Sequence, residues 1–204
     1  MVGSNDLNKS AKFYDAVFVP LDIKKIKTTE KYIGYAQKNN LNEIEFYVTK
    51  PYNKEKHSGG CACGQVRYHT IGQPVKTGLC HCRYCQLRTG TAFGISVYFK
   101  KENLKIESGD LKKYTFTTEN GNTFETNFCT HCGTSLFWTL SHMKDLMGAA
   151  GGTYDPPSFW FNIEREIFKR TKAEFVSINC PENHETSPTY NPKTKDPSRL
   201  DGKS

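Results

Sequence analysis

The chain has 204 residues, with 28 Lys and Arg against 21 Asp and Glu and a formal net charge of +7. That length fits one medium domain or two small ones, and no apolar run is long enough to cross a membrane. The positive surplus lies in short groups such as Lys24-Lys25-Ile26-Lys27 and Lys100-Lys101, not in a stripe interleaved with aromatics, so a solvated surface is expected and a nucleic-acid partner is not, while the mild positive field could attract a small anionic substrate.

From the N-terminus, nothing resembles a basic-then-apolar leader, which gives the expectation of a cytoplasmic protein whose thiols stay reduced. Residues 1–57 hold no cysteine. Asp6 is a good N-cap, and Leu7, Ala11, Tyr14 and Phe18 recur at helical spacing until Pro20 stops them. Strands are predicted at 23–27, 32–36 and 44–48, the last being β-branched and aromatic. Polar residues 51–58 begin with Pro and run into Gly59-Gly60, as a linker does.

From Gly59 onward the pattern is all-β. Strands are predicted at 61–70, 93–99, 104–107, 114–117, 123–128, 135–140 and 146–149, with a short helix or turn at 82–89. Gly109-Asp110 and Asn120-Gly121 mark turns. Residues 162–178 are ambiguous, helical near Ile163 and Ile167 and extended at 175–178. From Pro181 the chain is rich in Pro, Asn, Thr and Lys and is expected to be a disordered tail. The aromatic stock, 13 Phe, 11 Tyr and 2 Trp, is enough to build a core.

Seven of the eight cysteines form three clusters, Cys61-x-Cys63, Cys80-His81-Cys82-x-x-Cys85 and Cys129-x-x-Cys132. Close thiol clusters in a reducing compartment point to metal. The first and third are each followed by a glycine, which lets the backbone turn its N–H groups toward sulfur, and together they make one complete Cys₄ zinc site. Such a site leaves no vacancy and supports folding. Cys80, Cys82 and Cys85 make a second zinc site lacking one donor, the arrangement that leaves room for water or substrate. Cys180 is left over as a lone structural thiol. His81 and His131 lie between ligands, and facing solvent or capping a carbonyl is the expected fate of both. Arg88 follows the open knuckle and could receive a substrate carboxylate, although a surface ion pair is the expectation for a single Arg.

Two resemblances follow from these residues. Val2-Gly3-Ser4-Asn5-Asp6-Leu7, 12–17, Pro20-Leu21 and 46–51 resemble the start of the vicinal oxygen chelate (glyoxalase/bleomycin-resistance) superfamily. The resemblance implies one βαβββ half-module of a domain that normally has two. Its first strand is cut to Met1-Val2, Asp22 stands where a glycine is usual, and Glu45 lies near a position that often carries a carboxylate ligand. No catalysis is expected from this half, which should need a partner surface, either the second domain or another copy of the chain.

Gly60-Cys61-x-Cys63-Gly64-x-Val66-x-Tyr68, Cys80-His81-Cys82-x-x-Cys85, Gly90 and Phe128-Cys129-x-x-Cys132-Gly133-Thr134 are similar to the glutathione-dependent formaldehyde-activating enzyme family, which includes centromere protein V-like proteins. This resemblance implies a mainly β chain with a zinc-bound β-tent (Mss4-like) domain at 58–180, between the half-module and linker at 1–57 and the tail at 181–204. It implies the same ligand split, with the zinc at Cys80, Cys82 and Cys85 as the working one. The implied activity is carbon–sulfur lyase chemistry on thiol–aldehyde adducts, joining glutathione and formaldehyde into S-hydroxymethylglutathione. The family's His-Ile-Phe segment appears here as Glu166-Ile167-Phe168. A non-catalytic zinc-stabilised scaffold or a glutathione-binding module is the alternative.

Overall fold

Asp6 caps the first helix as its side chain dictates, Oδ1 accepting from the Lys9 N–H at 2.9 Å. In this computed structural model residues 2–4, 6–49 and 55–201 are described, and the chain divides into two units, Met1–Glu55 and Lys56–Ser204. Met1 of the expected first strand and residues 51–54 of the expected linker lie outside the described residues.

The first unit runs β1 (Val2–Gly3), α1 (Leu7–Phe18), β2 (Ile23–Thr28), β3 (Tyr32–Gln37) and β4 (Phe46–Thr49), with sheet order β1-β4-β3-β2 and β1 parallel to β4. The apolar face of α1 packs on the sheet: Phe18 meets Tyr35 edge-on at 5.1 Å and Tyr14 meets Phe46 at 5.2 Å. Pro20 sits in a single 3₁₀ turn, Val19–Leu21, and Asp22 then takes φ +53, a left-handed conformation that Asp tolerates better than most residues. Glu45 is exposed and belongs to none of the possible metal-ligand groups found among the described residues.

The second unit is mainly β. Its strands are β5 (Lys56–Gly60), β6 (Arg67–Ile71), β7 (Lys76–Cys80), β8 (Gly94–Lys100), β9 (Leu104–Ser108), β10 (Leu111–Thr117), β11 (Thr123–Cys129), β12 (Ser135–Leu140), β13 (Leu146–Ala150), β14 (Arg165–Ile167) and β15 (Glu182–Asn183). Helix α2 (Arg83–Thr89) follows β7, and a short α3 (Ser198–Asp201) comes last. Strands β5-β6-β9 form one sheet, and β10-β11-β12-β13-β8-β7-β14-β15 form the other. The core lies between one face of the long sheet and the small one: Val97, Phe99, Phe137 and Ala149 meet Val66, Tyr68 and Leu104, with Tyr68 edge-on to Phe137 at 4.9 Å. Each such large buried side chain contributes about 1.5–3 kcal/mol.

Three expectations are corrected. Residues 56–58, expected as the end of the linker, form β5 together with Gly59-Gly60, paired antiparallel with β6. They carry no large apolar side chain, so no periodicity marks them. The strand forms because Gly59 permits close approach: a Cβ there would lie 2.5 Å from the Thr153 carbonyl oxygen and 2.6 Å from the Tyr68 ring. The ambiguous stretch is a strand at β14 and not a helix, because β14 adds in parallel to the edge of β7. The expected loose tail lies against the domain through residue 201: β15 pairs with β14, Tyr84 donates to Asp196 at 2.6 Å, and the Lys193 and Thr194 N–H groups donate to the Glu119 carbonyl. A protein beginning at Lys56 is expected to fold and to bind zinc, whereas one beginning at Gly60 loses most of β5 and melts lower; circular dichroism melts of the two compare them.

Candidate metal centres

The turn between β5 and β6 and the turn between β11 and β12 bring four thiols together. The Sγ atoms of Cys61, Cys63, Cys129 and Cys132 all lie within 4.8 Å of one another. Cys61 and Cys63 are 3.3 Å apart and Cys63 and Cys129 are 3.8 Å apart. Four sulfurs around a tetrahedral zinc stand roughly 3.8 Å apart, whereas a disulfide needs about 2.05 Å, so the spacing fits a shared metal. Gly64 and Gly133 take φ +77 and +73, the left-handed turns that close both knuckles. The Val66 N–H then donates to Cys61 Sγ at 3.2 Å. Thr134 links the two turns, its Oγ1 lying 3.1 Å from Cys132 Sγ and accepting from the Ala62 N–H at 3.1 Å. The Thr134 hydroxyl, with the Thr134 and Cys63 N–H groups, holds the Cys132 thiol down at about 5. Cys63 is pushed up to about 12: the Gln65 N–H favours its thiolate, but desolvation and the neighbouring sulfurs outweigh it.

The second group has three thiols. Cys80 ends β7, Cys82 is the N-cap of α2 and Cys85 lies in the first turn of that helix, so strand end and helix start aim all three Sγ atoms within 4.8 Å of one another. No fourth His, Cys, Asp or Glu joins them among the described residues. Cys80 and Cys82 stand 3.2 Å apart. The Cys85 thiol is held well below its usual range by hydrogen bonds from Cys80 and Cys82 and by the Arg88 guanidinium. A group that already favours one thiolate suits a divalent cation, which requires its thiol ligands deprotonated. Cys180 is buried, 3.8 Å from the Ile163 carbonyl oxygen, and belongs to neither group.

The three thiols sit in the wall of a cavity of about 210 Å³. Its floor is the face of the long sheet turned away from the core. Paired residues on that face include Phe116 with Phe124, Trp138 with Gly148, Gly148 with Tyr98 and Tyr98 with Lys76. Residues 187–190 and 200–201 of the C-terminal segment line the cavity as well. Gly94 lets α2 approach β8, since a Cβ there would meet Arg88 Nη2 at 2.8 Å and Cys85 Cβ at 3.3 Å.

Sequence reasoning missed two features. His81, expected to face solvent or cap a carbonyl, is fully buried, with Nε2 2.9 Å from Glu166 Oε1. Lys172 Nζ reaches the same oxygen at 2.7 Å. The main chain of His81 is tied as well, its carbonyl accepting from Thr171 Oγ1 at 2.8 Å and Gln86 Nε2 at 3.0 Å. The residue between Cys80 and Cys82 is thus tied by both side chain and main chain, and it belongs to neither thiol group. The carboxylate at 166, lying in a stretch of otherwise strand-like residues, was the signal that could have revealed it. Arg88 makes no surface ion pair with a described residue: its guanidinium lies 3.8 Å from the centre of the Trp138 ring, and its three nitrogens are buried without an oxygen acceptor. His131 is exposed.

Residues 56–171, more than half of the chain, match the family described as glutathione-dependent formaldehyde-activating enzyme, and the chain belongs to that family. Three chains of known structure match it. One is a Rhodobacter sphaeroides protein known from a crystal structure, 19% identical, with a TM-score of 0.40 over 52% of this chain and 96% of its own. No curated protein matches. No helix among the described residues is long and apolar enough to cross a membrane.

Proposed function

We propose that the second unit is a zinc-bound β-tent that joins a thiol to an aldehyde, with glutathione and formaldehyde as the pair that family membership supports. The product is S-hydroxymethylglutathione, and the reaction is that of a carbon–sulfur lyase run in reverse. The observation that carries this reading is the inequality of the two thiol groups. Four thiols close a tetrahedral site, while three at a cavity wall leave one position open. Cys61, Cys63, Cys129 and Cys132 hold the structural zinc in this reading, and Cys80, Cys82 and Cys85 hold the working one. Zinc bound by three thiols supplies a Lewis acid with room for one exogenous thiol. The chain's own residues do the rest: His81 and Glu166 hold the knuckle, Arg88 offsets the negative charge of the thiolates, and Tyr98, Phe124 and Trp138 give the cavity an aromatic floor. The first unit, in the same reading, is a vicinal-oxygen-chelate half-module without chemistry, and the protein works in the cytoplasm.

Cys85→Ser tests the assignment. The variant is expected to keep near-native far-ultraviolet dichroism, to lose about half of its bound metal, and to lose the spectral response of the cobalt-substituted protein to glutathione. A wild-type cobalt protein that ignores glutathione would favour the scaffold alternative.

A further inference from the structure

Tyr98 lines the cavity that holds Cys80, Cys82 and Cys85. Its phenol oxygen accepts a hydrogen bond from Trp138 Nε1 at 3.0 Å. An indole N–H can only donate, so this bond engages a lone pair of the phenol and leaves its own proton to be given elsewhere. No described residue accepts that proton. The arrangement is built in. Trp138 and Tyr98 both pair with Gly148, and a Cβ at Gly148 would come within 2.3 Å of Trp138 Nε1, so the indole reaches the phenol across the one position that has no side chain. Arg88 lies over the same indole at 3.8 Å, and Phe124 stacks on it at 6.5 Å, which fixes the ring that fixes the phenol. Ser96 lies two residues away and faces the same cavity, but no described side chain directs its hydroxyl.

We propose that Tyr98 is the hydrogen-bond donor to the aldehyde oxygen as the carbon–sulfur bond forms, and that Trp138 is the residue that positions it. This rests on the thiol–aldehyde reading of the same site. The sulfur lone pair makes the C–S bond, and the C=O π pair moves onto oxygen. That oxygen finally carries the proton the thiol gave up, so thiol plus aldehyde equals hydroxymethyl thioether with no oxidant or reductant. Tyr98 holds the charge that develops on oxygen and is not consumed. A fixed donor aimed where charge develops needs no reorganisation during the reaction.

The test uses the full-length, zinc-loaded protein with glutathione and formaldehyde. Magnetisation-exchange NMR gives the rate of interconversion between free glutathione and its adduct. Metal content and the cobalt response to glutathione are read alongside. Tyr98→Phe keeps the ring and is expected to leave metal content and glutathione response unchanged while the acceleration falls about 100-fold, the usual loss for one oxyanion donor. Trp138→Phe leaves the phenol proton in place but undirected, and is expected to cost about tenfold, the equivalent of one hydrogen bond. Full acceleration in Tyr98→Phe overturns the proposal and leaves the thiol–aldehyde reading standing. Loss of the glutathione response in Tyr98→Phe overturns it too, because the ring hydroxyl would then serve binding or packing. A larger loss in Ser96→Ala than in Tyr98→Phe moves the donor to Ser96 and overturns the assignment to Tyr98. No acceleration by the wild-type protein overturns the reading and the proposal together.

Discussion

Changing Cys132 to Ser is expected to unfold the second unit. The four-thiol group ties the β5–β6 turn to the β11–β12 turn, with Cys63 and Cys129 meeting at 3.8 Å across 66 positions of sequence. These turns belong to the two different sheets that enclose the core, so a metal held by the four thiols would act as a clasp between layers. Structural zinc contributes on the order of 10 kcal/mol to folding in small domains, which matches the whole stability of an ordinary domain. Serine offers a poor fourth ligand, because its hydroxyl does not ionise as the Cys132 thiol beside the Thr134 hydroxyl does. The expected result is loss of the near-ultraviolet dichroism of buried Trp138 together with release of both metals. Cys85→Ser should behave differently, since its three ligands come from one local stretch, Cys80 to Cys85. A Cys132→Ser protein with an unchanged melt would mean that the four-thiol group does not hold the fold.

Much of this was legible because the signals were local. The Gly64 and Gly133 turns, the Asp6 cap and the β-branched and aromatic strands 123–128 and 135–140 each depend on side chains within a few residues of one another. What was not legible depends on contacts distant in sequence. Strand β7, Lys76-Thr77-Gly78-Leu79-Cys80, has a single large apolar side chain and is a strand because β8 and β14 flank it. The polar C-terminal segment is ordered by main-chain bonds to Glu119, Glu166 and Phe168, which no apolar periodicity announces. Residues 175–178 carry strand-forming side chains yet make no strand, since no described edge pairs with them. In the site, the cysteine spacing alone sorted the seven thiols into the groups the structure assembles. The spacing said nothing of Tyr98 and Trp138, which register puts on the cavity face of the long sheet, or of Glu166, which pairs with Leu79 on its other face.

Glu166→Ala is expected to be the most damaging change outside the thiols. Glu166 is 1% exposed, and its Oε1 accepts from both His81 Nε2 and Lys172 Nζ. Removing it leaves a half-buried ammonium and a buried imidazole without their acceptor, a loss of about 3–5 kcal/mol for breaking a buried ion pair. Because His81 stands between Cys80 and Cys82, the damage should reach the metal: the second zinc should dissociate to a chelator faster, while the first is retained. Glu166→Gln keeps the shape and an acceptor oxygen and should lose less. The acid dependence separates charge from packing. Burial alone would raise the Glu166 carboxyl, but Lys172 and then His81 hold it below its ordinary value. A carboxyl depressed in the folded state contributes stability that is complete above its unfolded value of about 4.3 and is lost as pH falls through the lower folded one. The stability gap between wild type and Glu166→Gln should therefore be constant near neutral pH and close below about pH 4. Denaturant unfolding of the two zinc-loaded proteins from neutral pH down to the lowest pH at which both still hold their metal measures the start of that closing, and a gap that does not narrow towards that limit would assign the effect of Glu166 to packing instead of charge.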